Sequence, residues 1–282
     1  MEQNGSSNQS KASVVIVTYN RPGEVVKAVK SIRKFNDDIQ IVVIDQESTA
    51  HLSDSDIESL KIEYYNLPKA NISAARNSGI EKASGDIIIF IDDDLELAEG
   101  AIDAHVHAYT DGIAGTAGRV LVDGEEVPEN TDVITGKTNS FGTNFIIKFW
   151  STKKQYVDFP YGCNMSFRKS TLKEVGSFDP RFDRMFDEID LGVRIKKAGK
   201  KILFVPEALG YHHKAKEGGA RETVDTKINI FYDNYGYYIA KNVNPILSLL
   251  ALGKRTVSAF KEKPAATFFF IKGFIQYYLK IK

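Results

Sequence analysis

Three consecutive carboxylates, Asp92, Asp93 and Asp94, follow directly on the apolar run Ile87–Ile91. Such a run predicts a buried strand, and open α/β sheets bind ligands just outside the carboxyl ends of their strands. Acids held this close repel one another unless a cation or several hydrogen-bond donors compensate. Oxygen ligands favour hard ions such as Mg²⁺ or Mn²⁺. The triplet therefore indicates a metal site, with a solvated acidic turn at a helix start as the open alternative.

The first 95 residues alternate between strand and helix signals. The predicted strands are short, apolar and rich in β-branched residues, and they cover Val14–Val17, Ile39–Asp45, Ile62–Tyr65 and Asp86–Ile91. Apolar residues recur at helical spacing after the first strand, from Val25 to Ile32, and again before the fourth, from Ile72 to Ala83. This βαβ rhythm predicts a parallel sheet with right-handed crossovers, flanked by helices.

The rhythm changes in the second half of the chain. Thr116–Val122 predicts another strand, and residues 129–160 are interpreted as loops and short strands that shape a binding face. Asp187–Ala198 predicts a helix. A final strand is expected at Lys201–Val205, with Pro206 ending it because proline cannot donate to a sheet ladder.

Composition limits the classes of protein that the chain can belong to. The sequence has 282 residues, of which 43% are hydrophobic, enough for one large α/β domain with a C-terminal appendage. The net charge is zero, which gives no electrostatic case for a nucleic-acid partner. Cys163 is the only cysteine, so no disulfide forms within the chain, which suits a reducing cytosol. Met1–Ser13 is polar and predicts a flexible leader.

The C-terminal segment is basic and amphipathic. Residues 241–282 carry eight Lys or Arg and one acid, Glu262, which gives +7, while the other 240 residues sum to −7. Two helices are expected there, divided at Lys263-Pro264. In the second, an apolar side made of Phe268, Ile271, Ile275 and Tyr278 opposes a polar stripe made of Lys272, Gln276 and Lys280. The pattern favours a helix on an anionic membrane surface over one that packs its apolar side on the domain.

Polar side chains also end the first two predicted strands. Thr18-Tyr19-Asn20-Arg21 ends the first, and Asp45 ends the second. Both tips should lie beside the acidic triplet, because parallel strands bring their carboxyl ends to one edge. Aromatic, acidic and basic groups in one crevice suit a nucleotide. Neither G-x-G-x-x-G nor a P-loop occurs, so a metal would have to hold the diphosphate.

Five sequence blocks together resemble family 2 glycosyltransferases, which have the GT-A fold. They occur in the family's order between about residues 13 and 213, and they are Val14–Pro22, Asn71–Ile80, Phe90–Asp94, Gly162–Arg168 and Asp187–His212. Each block alone is a weak signal, and the ordered set is a strong one. The resemblance implies transfer of a sugar from a nucleotide diphosphate sugar to an acceptor hydroxyl, with inversion and with Mn²⁺ or Mg²⁺.

The resemblance also implies roles for matching residues. Thr18, Tyr19 and Asp45 would line the nucleobase, with Asn20 and Arg21 beside them in the donor site. Arg76 would reach the base or the diphosphate. Asp92 and Asp93 would bind the ribose and support the metal. The metal ligands would be Asp94, Asp92 and His212, although the adjacent His213 leaves the choice of histidine open.

The catalytic base is expected in Asp187-Glu188-Ile189-Asp190. The family form is Glu-Asp-x-Asp with the base second, so the resemblance implies Glu188, in a sequence that inverts the usual order. Gly162, Asn164 and Asp187 would contact the acceptor. The glycine-containing loop Lys214–Arg221 is expected either to close over the diphosphate or to be a plain surface loop.

The expected organisation is a leader at 1–12, a catalytic domain at 13–221 with halves at 13–95 and 96–221, and a helical extension at 222–282. Expected partners are the sugar nucleotide, a glycan or lipid-linked acceptor and an anionic membrane. The expected location is cytoplasmic and peripheral, on the inner face of the plasma membrane. A sugar nucleotidyltransferase and a non-catalytic sugar-nucleotide-binding module are the alternatives.

Overall fold

The computed structural model describes residues 11–215, 224–262 and 264–279. Most of the predicted leader and most of the loop Lys214–Arg221 lie outside these residues. Within them, eleven strands occur, at Ala12–Thr18 (β1), Gln40–Gln46 (β2), Ile62–Leu67 (β3), Ile87–Asp92 (β4), Leu95–Leu97 (β5), Ile113–Val122 (β6), Lys137–Thr138 (β7), Phe145–Ile146 (β8), Gln155–Val157 (β9), Asn164–Arg168 (β10) and Lys201–His212 (β11).

The helices of the described chain pack on both faces of one large sheet. They are Pro22–Arg33 (α1), Asp54–Ser59 (α2), Ile72–Lys82 (α3), Ala101–His107 (α4), Lys169–Val175 (α5), Asp187–Lys197 (α6), Val224–Asn242 (α7), Pro245–Glu262 (α8) and Pro264–Leu279 (α9). No helix among the described residues is both long and apolar enough to cross a membrane.

The large sheet has the order β3-β2-β1-β4-β10-β6-β11-β5, with β9 paired to β11. Strands β3, β2, β1 and β4 are mutually parallel, as the βαβ rhythm predicted. Strand β10 then runs antiparallel between β4 and β6. The central strands are buried on both faces, which explains why they are continuous apolar runs rather than alternating ones.

Each face of the sheet has its own hydrophobic core. Val14 and Ile16 of β1 point to the side covered by α1, where Val25 and Val29 pack against them. Val15 points to the opposite side, which α3, α6 and the C-terminal helices cover. Successive residues of a strand alternate between faces, so both cores depend on the same short segments.

Strands β10 and β11 differ from the sequence-based expectation. Strand β10 was not predicted, because Asn164–Arg168 mixes polar and apolar residues and lies between two strands distant in the sequence. Strand β11 continues through Pro206 to His212, so the prediction that Pro206 ends it was wrong. The register against β6 shifts between Val205 and Leu209, and this irregularity accommodates a residue that cannot donate to the ladder.

The C-terminal helices are part of the fold rather than a separate appendage. Side chains of α7 and α9, including Tyr235, Tyr238 and Phe270, belong to the same core cluster as Phe159 and Met165 beside the large sheet. Helices α7 and α9 approach closely because each has a glycine at the crossing. A Cβ atom added at Gly236 would collide with the carbonyl oxygen of Phe270.

Gly273→Ala should destabilise the protein through this crossing. The added methyl group would collide with the carbonyl oxygen of Asp233. Overpacking of this kind costs about 1–3 kcal/mol, so we expect the melting temperature to fall by several degrees. Gly253→Ala in α8 is the matched control, since nothing lies within 4 Å of the added carbon, and it should leave the melting temperature unchanged or raise it. Equal melting temperatures for Gly273→Ala and the wild type would contradict the close packing.

Candidate active site

The carboxyl ends of β2, β1 and β4 meet at one edge of the sheet. The register pairs Thr18 with Asp45 across β1 and β2, and Val17 with Asp92 across β1 and β4. The sequence therefore predicted correctly that the strand tips converge. Because side chains alternate along a strand, Asp92 points to the face opposite that of Thr18 and Asp93.

Asp93 is held by the first strand and the loop that follows it. Its carboxylate accepts hydrogen bonds from the Thr18 hydroxyl at 2.7 Å and from the Arg21 guanidinium at 3.0 Å. Burial raises the pKa of Asp93 to about 7, although these two donors act against the shift. Arg21 also reaches Asp94 at 3.2 Å, so one cation partly compensates two of the three acids.

Asp94 connects the acidic triplet to the end of β11. One oxygen lies 2.9 Å from Nε2 of His212, and the other accepts a hydrogen bond from the Ala215 amide at 3.0 Å. Burial opposes ionisation of Asp94, but the hydrogen bond and charge of His212 outweigh it and lower its pKa to about 2. His213, by contrast, bonds to the outer carboxylates Asp123 and Glu96.

Asp92, Asp94 and His212 form a donor set that fits a divalent cation. One ligand atom from each lies within 4.8 Å of the others. The 2.9 Å between Asp94 and His212 is about the spacing of adjacent ligands in an octahedral shell with bonds near 2.1 Å. The two carboxylate ligands suit Mn²⁺ or Mg²⁺. Burial, followed by the charge of Asp94 among other groups, raises the pKa of Asp92 despite the opposing Arg76, so a cation would relieve unfavourable charge at this residue.

Arg76 contacts residues from three different segments of the site. It lies on α3 and is almost fully buried, and its guanidinium forms a close ion pair with Asp187 of α6. The same group donates to the carbonyl of Gly162 at 3.0 Å and lies 3.8 Å from Asp92. Breaking a buried ion pair leaves an uncompensated charge, which is strongly destabilising. Arg76 therefore holds the Asp187 carboxylate in place.

Glu188 lies at the start of α6, half-buried beside Asp187. Burial and then the charge of Asp187 raise the pKa of Glu188 well above its ordinary value, against the opposing charge of Arg76. A carboxylate that binds protons this readily can act as a general base. The inverted Asp-Glu order thus places the buried ion pair on the first acid, and both acids line the same small cavity.

Backbone strain precedes Glu188. Arg184 and Phe186 both have φ of 72°, in the left-handed region that glycine favours. The Phe186 ring stacks on Tyr235 of α7 at 5.4 Å and packs edge-on against Phe145 at 5.9 Å. Strained residues of this kind persist only where their surroundings hold them. The C-terminal helix α7 therefore helps to set the position of the candidate base.

Two adjoining cavities open at this edge. The larger is about 540 Å³, and its lining includes Thr18, Tyr19, Arg21, Asp92 and Asp93 of the predicted donor site. The smaller is about 150 Å³, and its lining includes Arg76, Asp92, Gly162, Asp187, Glu188 and His212. Because Asp92 lines both cavities, they meet at the acidic triplet. The smaller cavity brings predicted metal ligands and the predicted base together.

Two predicted donor-site residues support the loops beside the larger cavity. Asp45 is buried and accepts hydrogen bonds from Ser48 and Tyr64, with His51 at 3.0 Å. Asn20 has φ of 56°, and its side-chain oxygen accepts from the amide of Thr49 at 2.7 Å. Gln46 and Glu47 line the cavity where Asp45 was expected. The hydrogen bonds of Asp45 and Asn20 thus hold the loops that border the larger cavity.

Asn164 lies in the core instead of the cleft, which the sequence did not indicate. Its exposed fraction is 0%, and its amide donates to the carbonyls of Arg119 and Ala208. Its oxygen faces the buried His105 at 2.9 Å. The residue joins β10 to the two strands beyond it, so we do not include it in the acceptor site.

Three basic residues of the larger cavity were missed by the sequence analysis: Lys69, Arg184 and Lys227. Lys69 follows β3, so its position after a parallel strand could have signalled it. Arg184 reaches the cavity through a left-handed backbone, and Lys227 comes from α7, far along the chain. Neither of these two has a local sequence signal.

Comparison with known proteins agrees with the geometry. A glucosyltransferase of Campylobacter jejuni, the GalNAc(5)-diNAcBac-PP-undecaprenol beta-1,3-glucosyltransferase, is 32% identical over 123 residues, which are 41% of this chain and 40% of that protein. The chain thus spans less than half the length of this relative.

Two solved structures share the fold. GalNAc-T7 with UDP, GalNAc and Mn²⁺ superposes with a TM-score of 0.64 at 20% identity, covering 84% of this chain and 52% of that chain. The mannosyltransferase PcManGT from Pyrobaculum calidifontis, in complex with GDP-Man and Mn²⁺, gives a TM-score of 0.57 at 12% identity, covering 98% of this chain and 89% of that chain. These matches confirm the predicted GT-A fold.

The family profile described as Glycosyl transferase family 2 matches residues 13–176, more than half of the chain. This range contains four of the five blocks on which the resemblance rested, and the fifth supplies the helix that bears Glu188. The chain therefore belongs to glycosyl transferase family 2.

Proposed function

We propose that this domain transfers a sugar from a nucleotide diphosphate sugar to an acceptor hydroxyl, with inversion and with the help of Mn²⁺ or Mg²⁺. The observation that carries the proposal is that Asp92 and His212 line the same small cavity as Glu188. The residues that would stabilise the charge of a leaving group thus line the same cavity as the residue that would accept the proton of the nucleophile. A single displacement requires both.

The larger cavity is the proposed donor site. Its volume of about 540 Å³ lies within the range of cofactor and small-molecule pockets. Tyr19 offers a ring for the base, Asp93 a carboxylate for ribose hydroxyls, and Arg21 and Lys69 offer cations for the diphosphate. The two solved neighbours contain UDP and GDP-Man, which supports a nucleotide here.

Asp94, Asp92 and His212 are the proposed cation ligands. When bound, a divalent cation supplies positive charge that neutralises the departing diphosphate. The Mn²⁺ in both solved neighbours supports this assignment. Within the chain itself, His212 is oriented by Asp94, and Arg21 keeps Asp93 and Asp94 from repelling each other.

Glu188 is the proposed base. It takes the proton of the acceptor hydroxyl as that oxygen attacks the anomeric carbon, a contribution typically of about 10²–10⁴ in rate. The ion pair with Arg76 engages the Asp187 carboxylate, so we assign the proton transfer to Glu188, which lines the same cavity. Gly162 lines the same small cavity, where a Cβ atom would lie 3.7 Å from the Glu188 carboxyl carbon, so the absence of a side chain leaves room for the acceptor.

The acceptor is proposed to be a glycan or a lipid-linked sugar at a membrane surface. The Campylobacter relative is named for an undecaprenol-linked substrate, and residues 241–282 carry a net charge of +7. A basic, amphipathic C-terminal segment suits peripheral attachment to anionic lipid. We propose the inner face of the plasma membrane as the site of action.

The two adjacent histidines provide a matched test of the cation site. His212→Ala removes a proposed ligand, whereas His213→Ala removes a ring that bonds only to outer carboxylates. Loss of a ligand should weaken Mn²⁺ binding by at least about tenfold. We expect this loss for His212→Ala alone, measured by Mn²⁺ electron paramagnetic resonance in the presence of a nucleoside diphosphate. Equal Mn²⁺ affinity in both variants would refute the ligand role of His212.

Glu188→Gln should abolish sugar transfer and keep donor binding. We expect the rate to fall by about 10²–10⁴, with the sugar-nucleotide dissociation constant within a few-fold of the wild type. Release of nucleoside diphosphate from a panel of sugar nucleotides with Mn²⁺ measures the first, and calorimetry the second. Glu174→Gln, on the exposed surface of α5, is the control. Near-normal transfer by Glu188→Gln would place the base elsewhere.

The pH profile gives an independent test of Glu188. Transfer requires the ionised carboxylate, and burial beside Asp187 raises its pKa well above the ordinary value. The rate should therefore rise with pH through that elevated pKa, and activity should be lost on acidification at a higher pH than for an exposed glutamate. A kcat/KM that stays constant down to the ordinary glutamate range would contradict this assignment.

A further inference from the structure

The outer surface of α8 is an apolar stripe without a partner among the described residues. Its exposed large side chains are Ile246, Leu249, Leu250, Val257 and Phe260, and Ile246 is 72% exposed. At 100° per residue these positions fall within about 100° of one helix face. Single exposed apolar residues are ordinary, but a continuous helical stripe marks a contact surface.

Helix α9 presents a second stripe. Phe268, Ile275, Tyr278 and Leu279 are exposed, with Phe268 at 66%. The polar residues Lys272 and Gln276 contact the domain instead. Lys272 lies 3.3 Å from Asp233 of α7, and Gln276 accepts a close hydrogen bond from Arg181. The helix thus docks on the protein through the buried Phe270, with Lys272 and Gln276 making contacts at the edge, and it leaves its apolar stripe outside.

The tip of the hairpin formed by β7 and β8 lies next to the start of α8. Phe141 at this tip is 41% exposed. A Cβ atom on its neighbour Gly142 would lie 2.9 Å from the side chain of Val243, just before α8. Lys196 and Lys197 line the groove between this hairpin and the end of α7, so cations border the apolar surface here.

Charge decides which partner fits this surface. Residues 241–282 carry a net charge of +7. Lys241 and Arg255 of this segment bond to the protein itself, but Lys254 and Lys272 are exposed at the borders of the two stripes. A symmetric dimer would bring these like charges together. An anionic lipid headgroup layer is complementary to them, and its acyl boundary accepts the apolar stripes. Interfacial helices combine an apolar face with Lys or Arg along its border, as Lys254 does at the edge of the α8 stripe.

We propose that the outer stripes of α8 and α9, with Phe141 at one end, form a surface that inserts into the headgroup–acyl boundary of an anionic membrane. The inference deepens the proposed membrane association and rests on it only for its partner. It assigns the contact to two helices and places Lys272, whose side chain is 43% exposed, at the border of the α9 stripe. Truncating the tail would remove core contacts of α9, so substitutions on its outer face are the appropriate test.

Sedimentation with lipid vesicles tests this surface on the full chain. The test variant carries Leu249→Glu and Phe268→Glu, which place one charge on each stripe. The control carries Phe35→Glu and Val127→Glu, two exposed apolar residues elsewhere with the same change in charge. We expect the wild type and the control to sediment with phosphatidylglycerol vesicles more strongly than with phosphatidylcholine vesicles. The test variant should lose at least tenfold in partition coefficient.

Three results would overturn the inference. They are equal vesicle binding by the test variant and the wild type, absence of binding by the wild type, and a wild-type dimer in gel filtration that the test variant dissociates. Nucleoside diphosphate release, measured without vesicles, separates this outcome from the catalytic proposal. A test variant that keeps nucleoside diphosphate release but no longer sediments with the vesicles supports the proposed membrane surface. Absence of nucleoside diphosphate release by the wild type would count against the catalytic function alone.

Discussion

The buried guanidinium of Arg76 is the interaction on which the site depends. It comes from α3, pairs with Asp187 at the start of α6, holds the Gly162 carbonyl before β10 and approaches Asp92 at the end of β4. One side chain therefore ties together the wall that bears the proposed cation ligands and the wall that bears the proposed base. Removal of either partner of such a buried pair is strongly destabilising, so the geometry of the cleft and the stability of the fold are coupled.

Charge compensation explains the composition of the rest of the cleft. Three adjacent acids at the end of β4 are tolerated because Arg21, His212 and Arg76 each face at least one of them. These contacts leave Asp92 with an unfavourable charge, and its pKa is raised by burial and by Asp94. A divalent cation would complete the compensation. The same cation would then balance the charge that develops on a leaving diphosphate.

The C-terminal helices link the proposed base to the proposed membrane surface. The inner side of α7 supplies Tyr235, which stacks on the strained Phe186 two residues before Glu188. Lys227 of the same helix reaches the larger cavity. On the outside, α8 and α9 expose apolar stripes. The segment that we propose to contact lipid is therefore packed against the segment that holds the base in position.

The parallel half of the sheet could be predicted from sequence because its strands are local, apolar and separated by helices. The acidic triplet was recognisable because it ends such a strand. The burial of Asn164 was not, because its partners Arg119 and Ala208 come from strands distant in the sequence. The continuation of β11 past Pro206 depends on a register shift against β6, which no local pattern encodes. The position of Lys227 at the larger cavity and the buried face of α9 depend likewise on tertiary packing.

Anomalous scattering from Mn²⁺ in crystals grown with a nucleoside diphosphate tests the central claim most directly. The account predicts one strong peak within about 2.5 Å of carboxylate or imidazole atoms of Asp92, Asp94 and His212, on the side of the cavity that faces Glu188. A nucleotide-bound crystal with the Mn²⁺ peak at other residues, or with no peak beside the triplet, would contradict it.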